Sequence, residues 1–342
     1  MEIHFLGTGS AYPTPHRGAS CVILWYNGSC WMFDCGEGTQ TQLTKSVIKS
    51  SKITKIFISH LHGDHVFGLP GLLCTIGLTA PDENKHVDIY GPVGLRKYLR
   101  TSLDLCQSIL GYSYAIHEIH TADSTSSQVT AEVDLLHPDE NMGREIHENP
   151  SGVWEICKDG DLQVFAAPLK HRVTCFGYVV EEKDQPGALD AALLKSKGVP
   201  PGPLYAKIKN GESVTTSDGV VVDPKDVLGP SRPGRKVVIL GDTCDSSAIE
   251  NLAYKADCVI HEATLEDELK EKAIENGHST PGMAGAFAKT IQAKQLVLTH
   301  FSQRYKDSDS VAKHVQQATH AFSCDRVLAA SDFSKVVIPL QK

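Results

Sequence analysis

The fold is decided by Lys55-Ile56-Phe57-Ile58-Ser59-His60-Leu61-His62-Gly63-Asp64-His65. An apolar run that reads as a strand is followed by His60, His62, Asp64 and His65 within six residues. In an extended chain, residues two apart point the same way, so His60 and His62 converge on one place. Gly63 lets the backbone turn sharply. Asp64 and His65 then open a helix through Val66, Gly68, Leu69 and Leu72, and the turn aims them at a second, neighbouring point. Imidazole nitrogens and carboxylate oxygens are donors that zinc or manganese takes. A solvated polar loop rarely gathers so many of them directly behind a buried strand.

Upstream, Ile3-His4-Phe5-Leu6 reads as a first strand. Cys21–Trp25 and Cys30–Phe33 read as a hairpin across Asn27-Gly28, a strong turn signal. The turn Asp34-Cys35-Gly36-Glu37-Gly38-Thr39-Gln40 is glycine-rich but lacks a Walker lysine and dinucleotide spacing. It reads as a tight strand-to-helix connection that props the histidine stretch. Downstream, Leu162–Ala167 leads to His171. Three short apolar runs, Lys236–Leu240, Ala256–Ile260 and Gln295–Thr299, each end in polar groups: Asp242, His261-Glu262 and His300. Parallel or mixed strands that end together would gather these groups at one sheet edge. The pattern predicts an internal pseudo-repeat with the site where its halves meet. Thr280 and Pro281 mark a helix start, with His278 just outside it. Val336-Val337-Ile338 supplies a closing strand.

Composition narrows the class. The chain has 342 residues, 41% of them hydrophobic, enough for one large core or two closely packed halves. No apolar run reaches the roughly 18 residues of a membrane span, and the N-terminus reads as a strand rather than a signal peptide. Ten cysteines without a CxxC pair suit reduced thiols, so a cytoplasmic location is expected, with the nucleus as a further one. The net charge of −8 argues against a nucleic-acid partner until its distribution is examined. Residues 118–161 hold eleven acidic and two basic side chains, so that segment carries −9 and the remainder +1. The stretch 117–161 reads as an acidic surface insertion, partly disordered, whose four histidines have no ligand-like spacing. Residues 186–225 differ again. Lys195, Lys197, Lys207 and Lys209 occur with no acid between Asp190 and Glu212, around Gly202 and Pro203. Proline stiffens such an arm, helices would flank it, and its lysines suit a phosphate backbone.

The HxHxDH stretch, FDCGEGTQ, HEAT and HST sequences together resemble the metallo-β-lactamase superfamily, and within it the short form of ribonuclease Z. The likeness runs from Phe5 to Tyr305. It implies a single α/β domain over 1–342, an αββα sandwich with a protruding helical, basic arm near 186–225. It further implies two zinc ions per subunit, manganese being the other ion of fitting chemistry. His60, His62 and His171 would hold one ion, Asp64, His65 and His300 the other, and Asp242 would bridge. Asp64 would double as general base and His278 would be the general acid. Asp34 would orient a histidine ligand and His261 would support the site. Lys195, Lys197, Gly202, Pro203, Lys207 and Lys209 would touch substrate. The implied activity is removal of the 3′ trailer from precursor tRNA by a homodimer. The arm of one subunit would clamp the tRNA that the other cuts, with no membrane involved. The alternatives are trimming or repair of aberrant tRNA 3′ ends, and small-molecule hydrolysis by the same fold. The loop Pro13-Thr14-Pro15-His16-Arg17-Gly18 departs from the asparagine-containing basic loop that senses a CCA end in many bacterial relatives.

Overall fold

Strand-forming runs of branched and aromatic residues assemble into two large mixed sheets in the structure, a computed structural model. It describes residues 1–79, 82–122, 136–307 and 309–340. The first sheet orders Lys335–Val337, Glu2–Gly7, Cys21–Tyr26, Ser29–Phe33, Ile53–Phe57, His86–Pro92, Ser113–Ile119 and Glu140–Asn141. Glu145–Ile146 adds to Ser113–Ile119. The second sheet orders Val327–Ala329, Leu296–Thr299, Cys258–Glu262, Lys236–Leu240, Cys175–Glu182, Leu162–Leu169 and Trp154–Asp159.

Each sheet contains a run of consecutive parallel strands. In the first, five run from Ser29–Phe33 to Glu140–Asn141, and in the second, four run from Lys236–Leu240 to Val327–Ala329. This matches the pseudo-repeat expected from the sequence. The hairpin forms as predicted, with Asn27 and Gly28 both in the left-handed region (φ 47° and 82°) that its two-residue turn demands. Aromatic side chains fasten the two sheets. Phe57 stacks on Phe33 and Tyr90 with centroids 4.8 and 5.1 Å apart, and tilts against Tyr178 at 5.5 Å. The buried Tyr178 hydroxyl donates to the Ile58 carbonyl at 2.7 Å. The strand that delivers His60 is therefore tied to the opposite sheet two residues before that histidine.

The helices cover the outer faces. Leu95–Leu105 and Leu69–Thr79 pack on the first sheet through Leu69, Leu72, Leu73, Leu95 and Leu99. Pro281–Thr290 and Ala312–Phe322 pack on the second through Ala284, Phe287, Ala318 and Phe322. Pro281 opens its helix as expected, but Thr280 makes no side-chain cap bond. No described helix is long and apolar enough to cross a membrane.

The chain divides into two compact units. The larger holds Met1–Lys158, Val164–Val180 and Lys236–Ile338. The smaller holds Asp159–Gln163, Glu181–Arg235 and Pro339–Lys342. Within the smaller unit, helices Ala191–Ser196, Pro203–Lys209 and Pro224–Val227 and a Val214–Thr215/Val221–Val222 hairpin surround a core of their own. That core is Leu194, Val199, Ile208, Val214, Val222 and Val227. Arg235 clasps Glu182 in a buried two-point ion pair at 2.6 and 2.7 Å.

The acidic stretch 117–161 differs from the surface insertion that its sequence suggests. Residues 123–135 lie outside those described, but much of the rest belongs to the first sheet and is not a loose insertion. Glu118 accepts the Gly94 and Arg96 amides at 2.8 and 3.0 Å, closing the exposed amide end of Leu95–Leu105. Glu140 is buried and paired with Arg100 at 2.8 and 2.9 Å. His117 is bonded to Asp88 at 3.0 Å. Two arginines on one helix thus hold part of a charge that looked solvated in the sequence.

Candidate metal centre

The parallel strands release their polar groups beyond their C-terminal ends, where ligands of α/β sheets collect. Asp34 follows Ser29–Phe33, His60 follows Ile53–Phe57, Asp242 follows Lys236–Leu240 and His300 follows Leu296–Thr299. His62 precedes the short Gly63–Val66 helix that carries Asp64 and His65, and His171 follows Leu162–Leu169. These side chains form two clusters with one shared member. Donor atoms of His60, His62, His171 and Asp242 lie within 4.8 Å of one another, as do those of Asp64, His65, Asp242 and His300. Asp242 turns Oδ2 toward His60 Nε2 (3.7 Å) and Oδ1 toward His65 and His300 Nε2 (3.4 Å each). One carboxylate therefore offers an oxygen to each cluster.

Hydrogen bonds behind the clusters decide where the imidazole lone pairs sit. His65 gives its Nδ1 proton to Asp34 at 2.7 Å. The Ser59 hydroxyl donates to the same carboxylate at 2.8 Å, so its oxygen can accept from His60 Nδ1 at 3.0 Å. Asp34 thus orients His65 directly and His60 through Ser59, one histidine in each cluster. His171 donates Nδ1–H to the Gly277 carbonyl at 2.7 Å. Thr264 donates to Glu262 at 2.5 Å and accepts from His300 Nδ1 at 3.0 Å. Every one of these rings is left with Nε2 facing inward. His65 and His300 consequently oppose Nε2 to Nε2 at 3.2 Å, and His171 Nε2 lies 3.2 Å from His62 Nδ1. Two lone pairs so close call for a cation between them. The donor set fits zinc: neutral imidazoles and carboxylates, with second hydrogen bonds fixing each ring. A small cavity of about 20 Å³, bordered by His65, Asp242 and His300 on one side and by apolar strand residues on the other, leaves room for one water-sized occupant.

The electrostatics agree at three of the histidines; at His65 burial opposes the charged form, but the facing Asp242 and Asp34 carboxylates outweigh it and raise the imidazole well above its ordinary value. Burial lowers the basicity of His60, His62 and His171, which keeps their rings neutral. Burial alone would raise the Asp64 and Asp242 carboxyls, but the facing His300 and His65 hold both below the usual carboxylate range. Asp64 also accepts the Ala11 amide at 2.6 Å. His278 stands at the rim with Nδ1 on the Glu262 carboxylate at 3.1 Å. Burial opposes its charged form, yet Glu262 outweighs that and raises the imidazole to about 9. Ala11, Asp34 and His300 all occupy the left-handed region (φ 67°, 59° and 57°), at a cost of about 1–2 kcal/mol each for a residue with a Cβ. Such strain at three positions around one site is a mark of function.

A family profile described as "Beta-lactamase superfamily domain" matches residues 209–301, and one described as "Anti-Pycsar protein Apyc1" matches residues 1–110. The chain is 47% identical to Zinc phosphodiesterase ELAC protein 1 of Homo sapiens over 362 residues, covering 100% of this chain and 99% of that one. It is 40% identical to Ribonuclease Z of Lactococcus lactis over 308 residues, 89% of this chain and 90% of the relative. The crystal structure of human tRNase Z, short form (ELAC1), superposes with a TM-score of 0.70 at 39% identity, covering 99% and 100% of the two chains. The chain belongs to the short-form ribonuclease Z family. Its two mixed sheets flanked by helices are the metallo-β-lactamase fold of that family.

For a ribonuclease Z family chain, three further placements matter. His261 lies beneath the site without touching the clusters: it bonds Ser246 at 3.0 Å and its own neighbour's carbonyl at 2.8 Å, and packs on Phe287. Its neighbour Glu262 holds His278, Thr264 and the Thr243 amide (2.8 Å), a role that reading the sequence missed. The signal was a glutamate inside an apolar strand, since glutamate is almost never fully buried unless paired. In the smaller unit, Lys195, Gly202, Pro203, Lys207 and Lys209 are exposed, whereas Lys197 is half-buried and faces Asp226 at 3.8 Å.

Proposed function

We propose that the chain is a zinc-dependent endoribonuclease that removes the 3′ trailer of precursor tRNA. The cut would leave a 3′-hydroxyl on the tRNA and a 5′-phosphate on the trailer. The observation that carries this reading is the pair of donor clusters joined through Asp242, in a chain related over its full length to zinc phosphodiesterases and ribonucleases Z. His60, His62 and His171 would hold one zinc ion, Asp64, His65 and His300 a second, and Asp242 both. Bound zinc would supply Lewis acidity toward the phosphate and acidify the attacking water.

The protein's own groups do the rest. Asp64 keeps its carboxylate ionised and pinned by the Ala11 amide, ready to take the proton of that water. His278 gives Nδ1 to Glu262 and so keeps Nε2 free to protonate the leaving ribose oxygen. Lys195, Lys207 and Lys209, with Gly202 and Pro203 between them, would grip the tRNA body, and Lys197 would join them by leaving Asp226. A homodimer, in which the arm of one subunit serves the site of the other, is the assembly we infer from the family likeness. Ten free cysteines suit a reducing, cytoplasmic compartment.

An end-labelled precursor tRNA tests the reading. Cleavage at the 3′ boundary should disappear with a chelator and return with zinc. Intact precursor at every zinc concentration would refute it.

A further inference from the structure

Phe67 lies two residues after His65 and leaves 60% of its surface exposed. Single exposed apolar side chains are common, so exposure alone argues little. The ring's seating argues more. It lies edge-on against Gly63, where an added Cβ would come within 2.3 Å of Phe67 Cε2 and 2.5 Å of Cδ2. The Phe67 amide donates to the Gly63 carbonyl at 2.9 Å. The ring is therefore fixed on the one backbone link between His62, which faces the first cluster, and Asp64, which faces the second. The turn behind it has no slack, because a Cβ on Gly68 would lie 2.1 Å from the Gly36 carbonyl oxygen. A second exposed aromatic, Tyr12 (57%), adjoins the Ala11 amide that holds Asp64 on its other side.

We propose that Phe67 is a substrate-positioning residue of the cleavage: a stacking surface for one of the two nucleobases that flank the scissile phosphate. The inference rests on the tRNA-processing reading above. Single-stranded RNA is held by stacking its bases on aromatic rings, and every base offers a π-face. A ring anchored within the ligand stretch would fix the flanking nucleotide, and with it the reacting phosphate, without selecting one base. That suits a substrate class whose flanking bases vary. Positioning of this kind acts on the reaction by orientation and does not touch the metal ligands.

The test is a cycle of protein and substrate changes. Wild type, Phe67→Ala, Phe67→Leu and Phe67→Trp are assayed on three matched precursors. One is unmodified, one is abasic at the last retained nucleotide and one is abasic at the first released nucleotide. On the unmodified precursor, Phe67→Ala and Phe67→Leu should lower kcat/KM about tenfold, with Phe67→Trp near wild type and zinc content unchanged. On one of the abasic precursors wild type should fall to the level of Phe67→Ala, and the substitution should cost nothing more. An equal loss for Phe67→Ala on all three precursors would overturn the inference and make the ring a prop for its turn. No loss on the unmodified precursor would overturn it as well. If wild type cuts none of the three, the tRNA reading falls and this inference with it.

Discussion

Asp242 presents one carboxylate oxygen to each donor cluster, and no other described side chain belongs to both. Asp242→Ala should therefore cost bound metal as well as turnover. Mass spectrometry of the intact protein should show less than the wild-type metal content, and retention of full metal and full activity would remove Asp242 from the assignment. His278 differs because its hydrogen bond goes to Glu262 at 3.1 Å, while the shared Asp242 carboxylate lies farther off at 3.7 Å. His278→Ala should keep the metal and slow precursor cleavage roughly 10²–10⁴-fold, the usual worth of a general acid. The loss should shrink on bis(p-nitrophenyl) phosphate, whose leaving group needs little protonation. Equal losses on both substrates would make the imidazole structural. At this scale the sequence was legible where donors cluster along the chain, as in His60 to His65. It was opaque where a residue works through backbone or a buried partner. Neither the Ala11 amide on Asp64 nor the Gly277 carbonyl on His171 has a side chain that spacing could reveal.

The turns between strand and helix are what hold the histidines in register. Gly36 is packed so tightly that a Cβ there would lie 2.2 Å from the Asp64 carbonyl oxygen and 2.6 Å from Ala19 Cβ. The turn after Ser29–Phe33 also takes the His65 carbonyl on the Cys35 amide at 2.8 Å. Gly36→Ala must push Asp64 and His65 outward. We expect a lower thermal midpoint together with weaker zinc binding, read by competition with a chromogenic chelator. A fall in one without the other would mean that this turn does not brace the ligands. The elements themselves were largely readable, because hairpin, parallel strands and the Pro281 helix start each follow a local rule. The acidic stretch was not: Glu118 and Glu140 find their partners on the Leu95–Leu105 helix, and no local pattern announces an ion pair made across the fold.

Over the whole molecule, catalytic groups and basic arm fall in different units. The donor clusters lie entirely in the larger unit, and the smaller has its own core and its own lysines. In the proposed function the chemistry falls to the first and the choice of tRNA to the second. Net charge hides this division, since 118–161 carries −9 and the remainder of the chain +1. The two ends of the smaller unit's helical segment lie side by side: the Asp190 amide bonds the Val227 carbonyl and the Gly229 amide bonds the Ala188 carbonyl at 2.8 and 2.9 Å. A short Gly/Ser bridge from Leu189 to Leu228 therefore deletes its helices and core together while sparing every proposed ligand. The decisive measurement is kcat/KM of this deletion on precursor tRNA and on bis(p-nitrophenyl) phosphate side by side. Binding remote from the reacting phosphate is lost, so tRNA cleavage should collapse while hydrolysis of the small diester stays near wild type. Tethered contacts to phosphate also go, so residual tRNA binding should depend less steeply on salt. Precursor cleavage at the wild-type rate by the deleted enzyme would contradict the account.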